Sequence, residues 1–123
     1  MTFSTVAGNG RFDLNPTAGP SISLRLPGPR SLAVDPAGNM YVGDAYYNRV
    51  ILLHPDGTYD LFAGNGAEQA SGDGGAALLA GLPSPAALAF YAGELYVGSG
   101  SSIRKVSADG IISTVATPQQ IAP

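Results

Sequence analysis

The sequence predicts an all-β protein built from two antiparallel four-stranded sheets, and three observations support this prediction. The 123 residues include 17 glycines and 10 prolines, more turn-forming residues than a helical bundle tolerates. Strand-like segments recur about every ten residues, as they do in antiparallel meanders. The whole pattern occurs twice along the chain, and an internal repeat indicates a repeated structural unit.

The repeat is visible as short matching segments in the same order. Four pairs of segments match: TVAGNG (5–10) with LFAGNG (61–66), LPGPRSLAV (26–34) with LPSPAALAF (82–90), GNMYVG (38–43) with GELYVG (93–98), and RVILLHPDG (49–57) with SIRKVSADG (102–110). The spacing between partners falls from 56 to 53 residues along the unit, because the second copy has lost three residues in two turns. We therefore treat the chain as two copies of one unit.

Each unit contains four strand-like segments separated by turn residues. The predicted strands are 31–35, 40–44, 49–54 and 58–63 in the first unit, and 87–91, 94–98, 103–107 and 111–116 in the second. Pro-Asp-Gly and Ala-Asp-Gly at residues 55–57 and 108–110 suit hairpin turns, since proline presets φ and glycine accepts positive φ. Residues 76–82, between the units, have the composition of one helical turn.

The strand composition also predicts how the sheets pack. Residues 50–53 (Val-Ile-Leu-Leu) are apolar at consecutive positions, so both faces of the sheet need cover. One four-stranded sheet cannot cover both of its own faces, whereas sheets stacked around an axis do so as propeller blades. We expect one blade at 26–63, a second at 82–116 and a tail at 117–123. A further strand at 3–7 matches the outer strand of an earlier blade.

The chain resembles the NHL-repeat family of the bacterial long-loop type. The resemblance rests on VAGNG at 6–10, PRSLAVD at 29–35, AGNMYVGD at 37–44, NRV at 48–50 and SGDGG at 71–75, and it extends over almost the whole chain. It implies a β-propeller, commonly six-bladed, that acts as a rigid platform for a ligand or a partner. Many bacterial relatives are exported or form sensor ectodomains.

Two departures from the family pattern affect what the resemblance implies. The chain holds two units rather than about six, so we expect a partial propeller. In the second unit Tyr91 and Ser99 replace Asp35 and Asp44 of the first, which weakens any common role for these acids. Three chains that together supply six blades are one way to complete the ring, and a fragment of a longer array is the other.

Composition excludes several classes of function. Six basic residues against nine acidic residues give a net charge of −3, and no basic stripe for nucleic acid is present. The absence of cysteine excludes disulfides, thiol nucleophiles and thiolate metal sites. The N-terminal segment lacks the basic and apolar regions of a signal peptide, and no apolar run is long enough to cross a membrane. These features do not assign the protein to a cellular compartment.

Titratable residues give weak support for catalysis or metal binding. His54 is the only histidine and precedes a turn, which predicts a surface position rather than a general base. The turn carboxylates suit calcium in principle, but no D-x-D-x-D-G loop is present, so we expect no metal or cofactor. Asp35, Asp56 and Asp109 instead suit the capping of their own turns, and Asp73 suits loop closure.

The candidate binding residues lie between the second and third strands of the first unit. They are Asp44, Tyr46, Tyr47, Asn48 and Arg49. Aromatic and arginine side chains are favoured anchors of interfaces, and this loop should open on the same side as the long loops 8–29 and 64–85. The alternative is that the two tyrosines cover the neighbouring blade.

The sequence favours a non-catalytic NHL-type scaffold that binds a protein or a ligand through one propeller face. The repeat, the polar long loops and the lack of a catalytic constellation support this hypothesis. Two alternatives stay open: a fragment of a propeller-type enzyme, such as a lactone hydrolase or a metal-dependent lyase, and a truncated non-functional fragment.

Overall fold

The computed structural model describes residues 18–20 and 26–117, which form two antiparallel β-sheets and one helical turn. Sheet one contains, in spatial order, β1 (Ala18–Pro20), β5 (Thr58–Ala63), β4 (Arg49–Leu53), β3 (Met40–Asp44) and β2 (Pro29–Val34). Sheet two contains β6 (Pro85–Tyr91), β7 (Glu94–Ser99), β8 (Ser102–Val106) and β9 (Ile112–Ala116). The two meanders are confirmed, and all eight predicted strands end within two residues of their expected bounds.

Sheet one has a fifth strand that the sequence did not predict. Strand β1 lies within the expected long loop 8–29 and pairs with β5, with Pro20 opposite Thr58. At the equivalent place in the second unit, Ala76 forms an isolated bridge with Ile111. Each long loop therefore pairs with the outer strand of its own unit. The strand expected at 3–7 and the tail after Thr117 lie outside the described residues.

The two units repeat down to their turns and irregularities. In the first, the His54 N–H donates to the Thr58 carbonyl at 2.8 Å, and in the second the Ser107 N–H donates to the Ile111 carbonyl at 2.9 Å. The ladders shift register between Val50 and Ile51 in one sheet, and at the equivalent step next to Arg104 in the other. Such bulges increase local twist, so the two sheets are shaped alike.

The main hydrophobic core lies between the two sheets, as the apolar strand pattern predicted. Its buried residues come from sheet one, from the linker and from sheet two: Tyr41, Val50, Ala63, Ala77, Ala80, Leu82, Leu95, Val97, Val106 and Ile112. Sheet one therefore covers one face of sheet two. A second cluster of Val42, Ile51, Leu53 and Tyr59 is buried on the opposite face of sheet one, with Leu26 packed against it.

An aromatic contact joins β3 of sheet one to β6 of sheet two. The Tyr41 ring stacks on Phe90 of sheet two at 5.6 Å between centroids and meets Phe62 edge-on at 4.9 Å. Beside them, the Ser31 hydroxyl donates to the Pro85 carbonyl at 3.1 Å. Aromatic pairs in these geometries add to the stabilisation from burial, so Tyr41 is central to the contact between sheets.

The segment between the two sheets, residues 64–84, is called the linker, and it forms part of the core. The expected helical turn is a 3-10 turn at Ala77–Leu79, and Ala77, Ala80 and Leu82 are almost completely buried. At three residues this turn cannot be stable alone, so burial against the sheets must stabilise it. Across the ranges 18–20 and 26–117, no helix is long and apolar enough to span a membrane.

Arg104 fastens this linker to sheet two from inside the protein. Its side chain is 1% exposed and donates to the Gly81 carbonyl at 2.6 Å and to the Ser71 carbonyl at 2.8 Å. It also reaches the Asp73 carboxylate at 2.8 Å. The Asp73 carboxylate accepts a further hydrogen bond from the Thr114 hydroxyl at 2.5 Å, which confirms its expected role in loop closure.

We predict that Gly43→Ala destabilises the protein by about 2 kcal/mol, because overpacking a well-filled contact forces the backbone to shift. A Cβ atom at Gly43 would overlap the Pro85 carbonyl oxygen and the Ser31 hydroxyl. The matched control is Gly98→Ala at the equivalent site of sheet two, where the new atom would meet only Ala87, whose Cβ atom would be 3.2 Å away. Urea unfolding of dilute protein measures both, and equal losses would contradict the prediction.

A second prediction concerns Arg104→Ala, which should lower the free energy of unfolding by about 3 kcal/mol. Removing a buried hydrogen-bonded charge leaves its partners unsatisfied and opens a cavity. The neighbouring Lys105 is the control, since its contact with Glu94 is 3.5 Å long and partly exposed. Lys105→Ala should cost less than about 0.5 kcal/mol. If the two variants unfold at the same urea concentration, the bracing role of Arg104 is wrong.

Candidate functional site

The candidate residues lie on the tight loop between β3 and β4. Asp44 ends β3 and Arg49 begins β4, and the two residues are opposite each other in the register of the ladder. The loop residues 45–48 project from the end of sheet one at which β2 begins, where the Ala45 N–H donates to the Gly28 carbonyl at 2.9 Å. The structure therefore brings all five predicted residues together at one end of the sheet.

Asp44 fixes the backbone of this loop. Its side chain is completely buried, and Oδ1 accepts the backbone N–H of Tyr46 at 3.0 Å and of Tyr47 at 3.4 Å. Burial raises the pKa of Asp44 above its ordinary value, because desolvation outweighs these hydrogen bonds and the attraction of Arg49. Asp44 therefore caps the loop through Oδ1, while its buried Oδ2 has no hydrogen-bond partner in the described part of the chain.

Asn48 joins the loop to the linker. Its backbone is in the left-handed region, with φ of 56°. The side-chain oxygen accepts the Ser84 N–H at 2.9 Å, and the side-chain nitrogen donates to the Gly66 carbonyl at 3.4 Å. Gly64, in the repeated AGNG motif, lies so close that a Cβ atom there would be 2.6 Å from the Asn48 carbonyl oxygen. The loop is therefore held against the linker.

The aromatic part of the site is a connected stack. The Tyr46 and Tyr47 rings meet edge-to-face at 4.9 Å, and the Arg49 guanidinium lies 4.8 Å from the centroid of the Tyr47 ring. Arg49 is 8% exposed, whereas Tyr46 is 60% exposed. Two guanidinium nitrogens of Arg49, Nε and Nη2, have no hydrogen-bond partner in the described part of the chain. Arg49 thus packs against the Tyr47 ring, and the Tyr46 ring is the exposed end of the stack.

The structure separates the roles of the five predicted residues. Tyr46 alone among them exposes most of its side chain. Asp44 and Asn48 hold the loop, and Arg49 packs under Tyr47. The sequence did not reveal the clamp made by Asn48, because its partners are 18 and 36 residues away along the chain.

The turn carboxylates have the local partners expected of caps. Asp35 accepts the N–H groups of Ala37 and Asn39 at 3.0 Å, and Asp56 accepts that of Thr58 at 3.0 Å. Hydrogen bonds from the Thr58 side chain and backbone hold the pKa of Asp56 below its ordinary value. The Asp109 carboxylate accepts from the Ser107 hydroxyl. These contacts confirm the prediction of turn capping.

His54 lies at the other end of β4 from the loop and contacts one carboxylate. Its Nε2 is 2.6 Å from Asp60 Oδ2, and both side chains are partly exposed. In residues 26–117, no group of three or more histidine, aspartate or glutamate side chains is placed to hold a metal ion. The pair is therefore an exposed polar contact on the sheet, and it is remote from the loop.

Arg104 is the residue that sequence reasoning missed. It corresponds to Ile51 of the first unit, which is completely buried. A charged residue in place of a buried isoleucine of the repeat is the signal that would have indicated a special role. Its contacts with Ser71, Asp73 and Gly81 show that this role is to hold the linker.

Comparisons with known proteins support the fold. No family model matches the chain. None of the curated proteins matches it either. Among solved structures, it is similar to virginiamycin B lyase from Staphylococcus aureus, a β-propeller, with a TM-score of 0.51 at 18% sequence identity. The similarity covers 74% of this chain and 27% of that one, so the chain spans about a quarter of the lyase's length.

These values establish that the two sheets fit the blades of a β-propeller, and the likeness applies to the fold alone. The NHL-type assignment, based on the repeated motifs, is not tested by the comparison. The lyase activity belongs to the other protein.

We predict that Asp44→Asn changes how stability depends on pH. Because the pKa of Asp44 is raised in the folded state, the stability contributed by this carboxyl falls as pH rises above its ordinary pKa of 3.8. The asparagine variant should therefore gain stability relative to the wild type as pH increases from 3.8 through the raised pKa of Asp44. Urea unfolding at a series of acidic to neutral pH values measures the difference.

Asp56→Asn is the control, and the pH dependence of its stability change should have the opposite sign. The pKa of Asp56 is lowered in the folded state, so its stabilisation is present above pH 3.8 and is lost as pH falls through the lowered pKa. This variant should lose stability relative to the wild type as pH rises. A flat difference for Asp44→Asn would contradict the assignment of Asp44 as a buried carboxyl with a raised pKa.

Proposed function

We propose that the protein is a non-catalytic binding module of the NHL-repeat type that recognises a protein partner through the loop between β3 and β4. The observation that carries the proposal is an exposed tyrosine on a loop that is held from several sides. The Tyr46 ring is 60% exposed, while Asp44 and Asn48 fix the backbone around it. A rigid aromatic side chain buries a large area on binding at a small cost in conformational entropy.

The surroundings of Tyr46 suit a partner that inserts an apolar side chain beside the ring. Tyr47 packs edge-on against Tyr46, and Arg49 lies against Tyr47. Tyrosine combines an apolar ring with a polar hydroxyl, which suits contacts at a protein surface. A partner segment with a proline or aliphatic residue next to a backbone carbonyl would match both parts.

Charge distribution supports a protein partner over nucleic acid. The net charge is −3, and the arginine of the site is 8% exposed, with its guanidinium against an aromatic ring. Phosphate backbones are bound by accessible clusters of lysine and arginine. The metal-dependent enzyme alternative receives no support from residues 26–117, where His54 is paired with Asp60 and no cluster of ligands occurs.

We predict that Tyr46→Ala weakens partner binding at least tenfold, which is about 1.4 kcal/mol, since a central aromatic anchor carries much of the binding energy. Peptides selected from a random displayed library on the immobilised wild-type protein serve as the probe. Their affinities for wild type and variant are compared by biolayer interferometry.

Tyr91→Ala is the matched control for this experiment. Tyr91 is 71% exposed and ends β6, far from the loop along the chain. This variant should keep the wild-type affinity. Selected peptides that bind Tyr46→Ala as tightly as the wild type would show that the loop is not the binding site.

A further inference from the structure

The face of sheet two that points away from sheet one is apolar and open. A shallow cavity of about 270 Å³ on this face is lined by Ala87, Leu88, Ala89, Tyr96, Gly98 and Ile103. Ile103 is 37% exposed, and the neighbouring Val115 is 44% exposed. An open apolar surface of this kind marks an interaction site. We call Ala87, Ala89, Tyr96, Gly98 and Ile103 the open face.

The repeat shows what such a face binds. The open face corresponds, position by position, to the residues of sheet one that meet sheet two: Ser31, Ala33, Tyr41, Gly43 and Val50. There, Phe90 stacks on Tyr41, and the Pro85 carbonyl lies directly above Gly43. Tyr96 and Gly98 are the equivalents of Tyr41 and Gly43. The shape that fits the open face is therefore a strand like β6.

The chain contains a second strand of this kind, and it is exposed. Strand β2 is the repeat equivalent of β6, so Leu32 and Val34 correspond to Leu88 and Phe90. Leu88 and Phe90 pack against the core between the sheets. Leu32 and Val34 are 58% and 54% exposed. Sheet one therefore exposes two aliphatic side chains, Leu32 and Val34, at the positions that sheet two uses to contact sheet one.

The rest of that face of sheet one is already closed. Ile51 and Tyr59 are almost completely buried, and Leu26 packs against their cluster. Leu26 is the equivalent of Leu82, which packs beside Ile112 in the core between the sheets. In the first unit these residues are thus buried without a neighbouring sheet, and strand β2 is the exposed part of the face that is available for docking.

We propose that a second copy of this chain binds the open face of the first through its strand β2, so that Val34 of one copy lies over Tyr96 of the other. The two surfaces are the two halves of the contact that already joins the sheets within one chain. Because the halves are on opposite sides of the molecule, the association is head-to-tail, and it closes into a ring or extends according to the rotation between copies.

The test uses two variants, one that blocks the open face and one that blocks strand β2. Ala89→Asp places a carboxylate in the open face, at the equivalent of the partly buried Ala33. Val34→Asp places one on β2. Wild-type protein should form species larger than one chain, measured by sedimentation velocity over a range of concentrations. Each variant alone should sediment as a single chain, since it has lost one half of every contact.

An equimolar mixture of the two variants is the decisive measurement. The intact β2 of Ala89→Asp can still bind the intact open face of Val34→Asp, so the mixture should form a species of two chains and nothing larger. Leu79→Asp is the control, because Leu79 is 77% exposed on the linker turn and belongs to neither half. It should keep the wild-type mass, and circular dichroism shows that each variant is folded.

Three results would overturn the proposal. Wild-type protein that stays a single chain at all concentrations has no such contact. Val34→Asp with the wild-type mass means that the open faces bind each other or that another surface is used. A mixture that stays monomeric shows that the two halves are not complementary. The proposal is independent of the function proposed for the loop, since Tyr46→Ala should leave the mass unchanged.

Discussion

Each sheet of this protein is apolar on both faces, and the structure depends on covering them. Residues 50–53 alternate between the core that faces sheet two and the cluster on the other side, so neither face can be left to water without cost. Tyr41 links the sheets through its contact with Phe90, and Gly43 lets the backbone at Pro85 approach closely. Packing against a second sheet therefore stabilises a sheet of this composition.

The linker also contributes to this arrangement. Its alanines and Leu82 fill the space between the outer strands, where the sheets do not meet directly. Arg104 then ties its carbonyl groups to β8 from within the protein. The glycine-rich segment around Asp73 has the composition of a ligand-binding loop, but its contacts with Arg104 give it a structural role. This explains why a loop of some twenty residues can be ordered with almost no regular structure of its own.

The sequence was sufficient to predict the strands because their signals are local and occur twice. Turn residues at 55–57 and 108–110 set the hairpins, and the repeat allowed one unit to correct the other. Strand β1 escaped prediction because three residues, Ala-Gly-Pro, carry no strand pattern, and only their pairing with β5 defines them. The candidate residues lie, as predicted, between the second and third strands of the first unit, but the contacts of Asn48 with Gly66 and Ser84 depend on partners distant in sequence. Periodicity contains no information of that kind.

The pairing of the long loops with the outer strands also bears on aggregation. An unpaired strand at the edge of a sheet offers free N–H and C=O groups to any other extended chain. Here β1 pairs with the first half of β5, and Ala76 forms a bridge with Ile111 just before β9, where the Ile112 N–H donates to the Gly75 carbonyl. Strand addition, the route to cross-β fibres, is therefore obstructed at these parts of the two edges. The linker, whose alanines are buried in the core, thus also protects part of an exposed sheet edge from pairing with other chains.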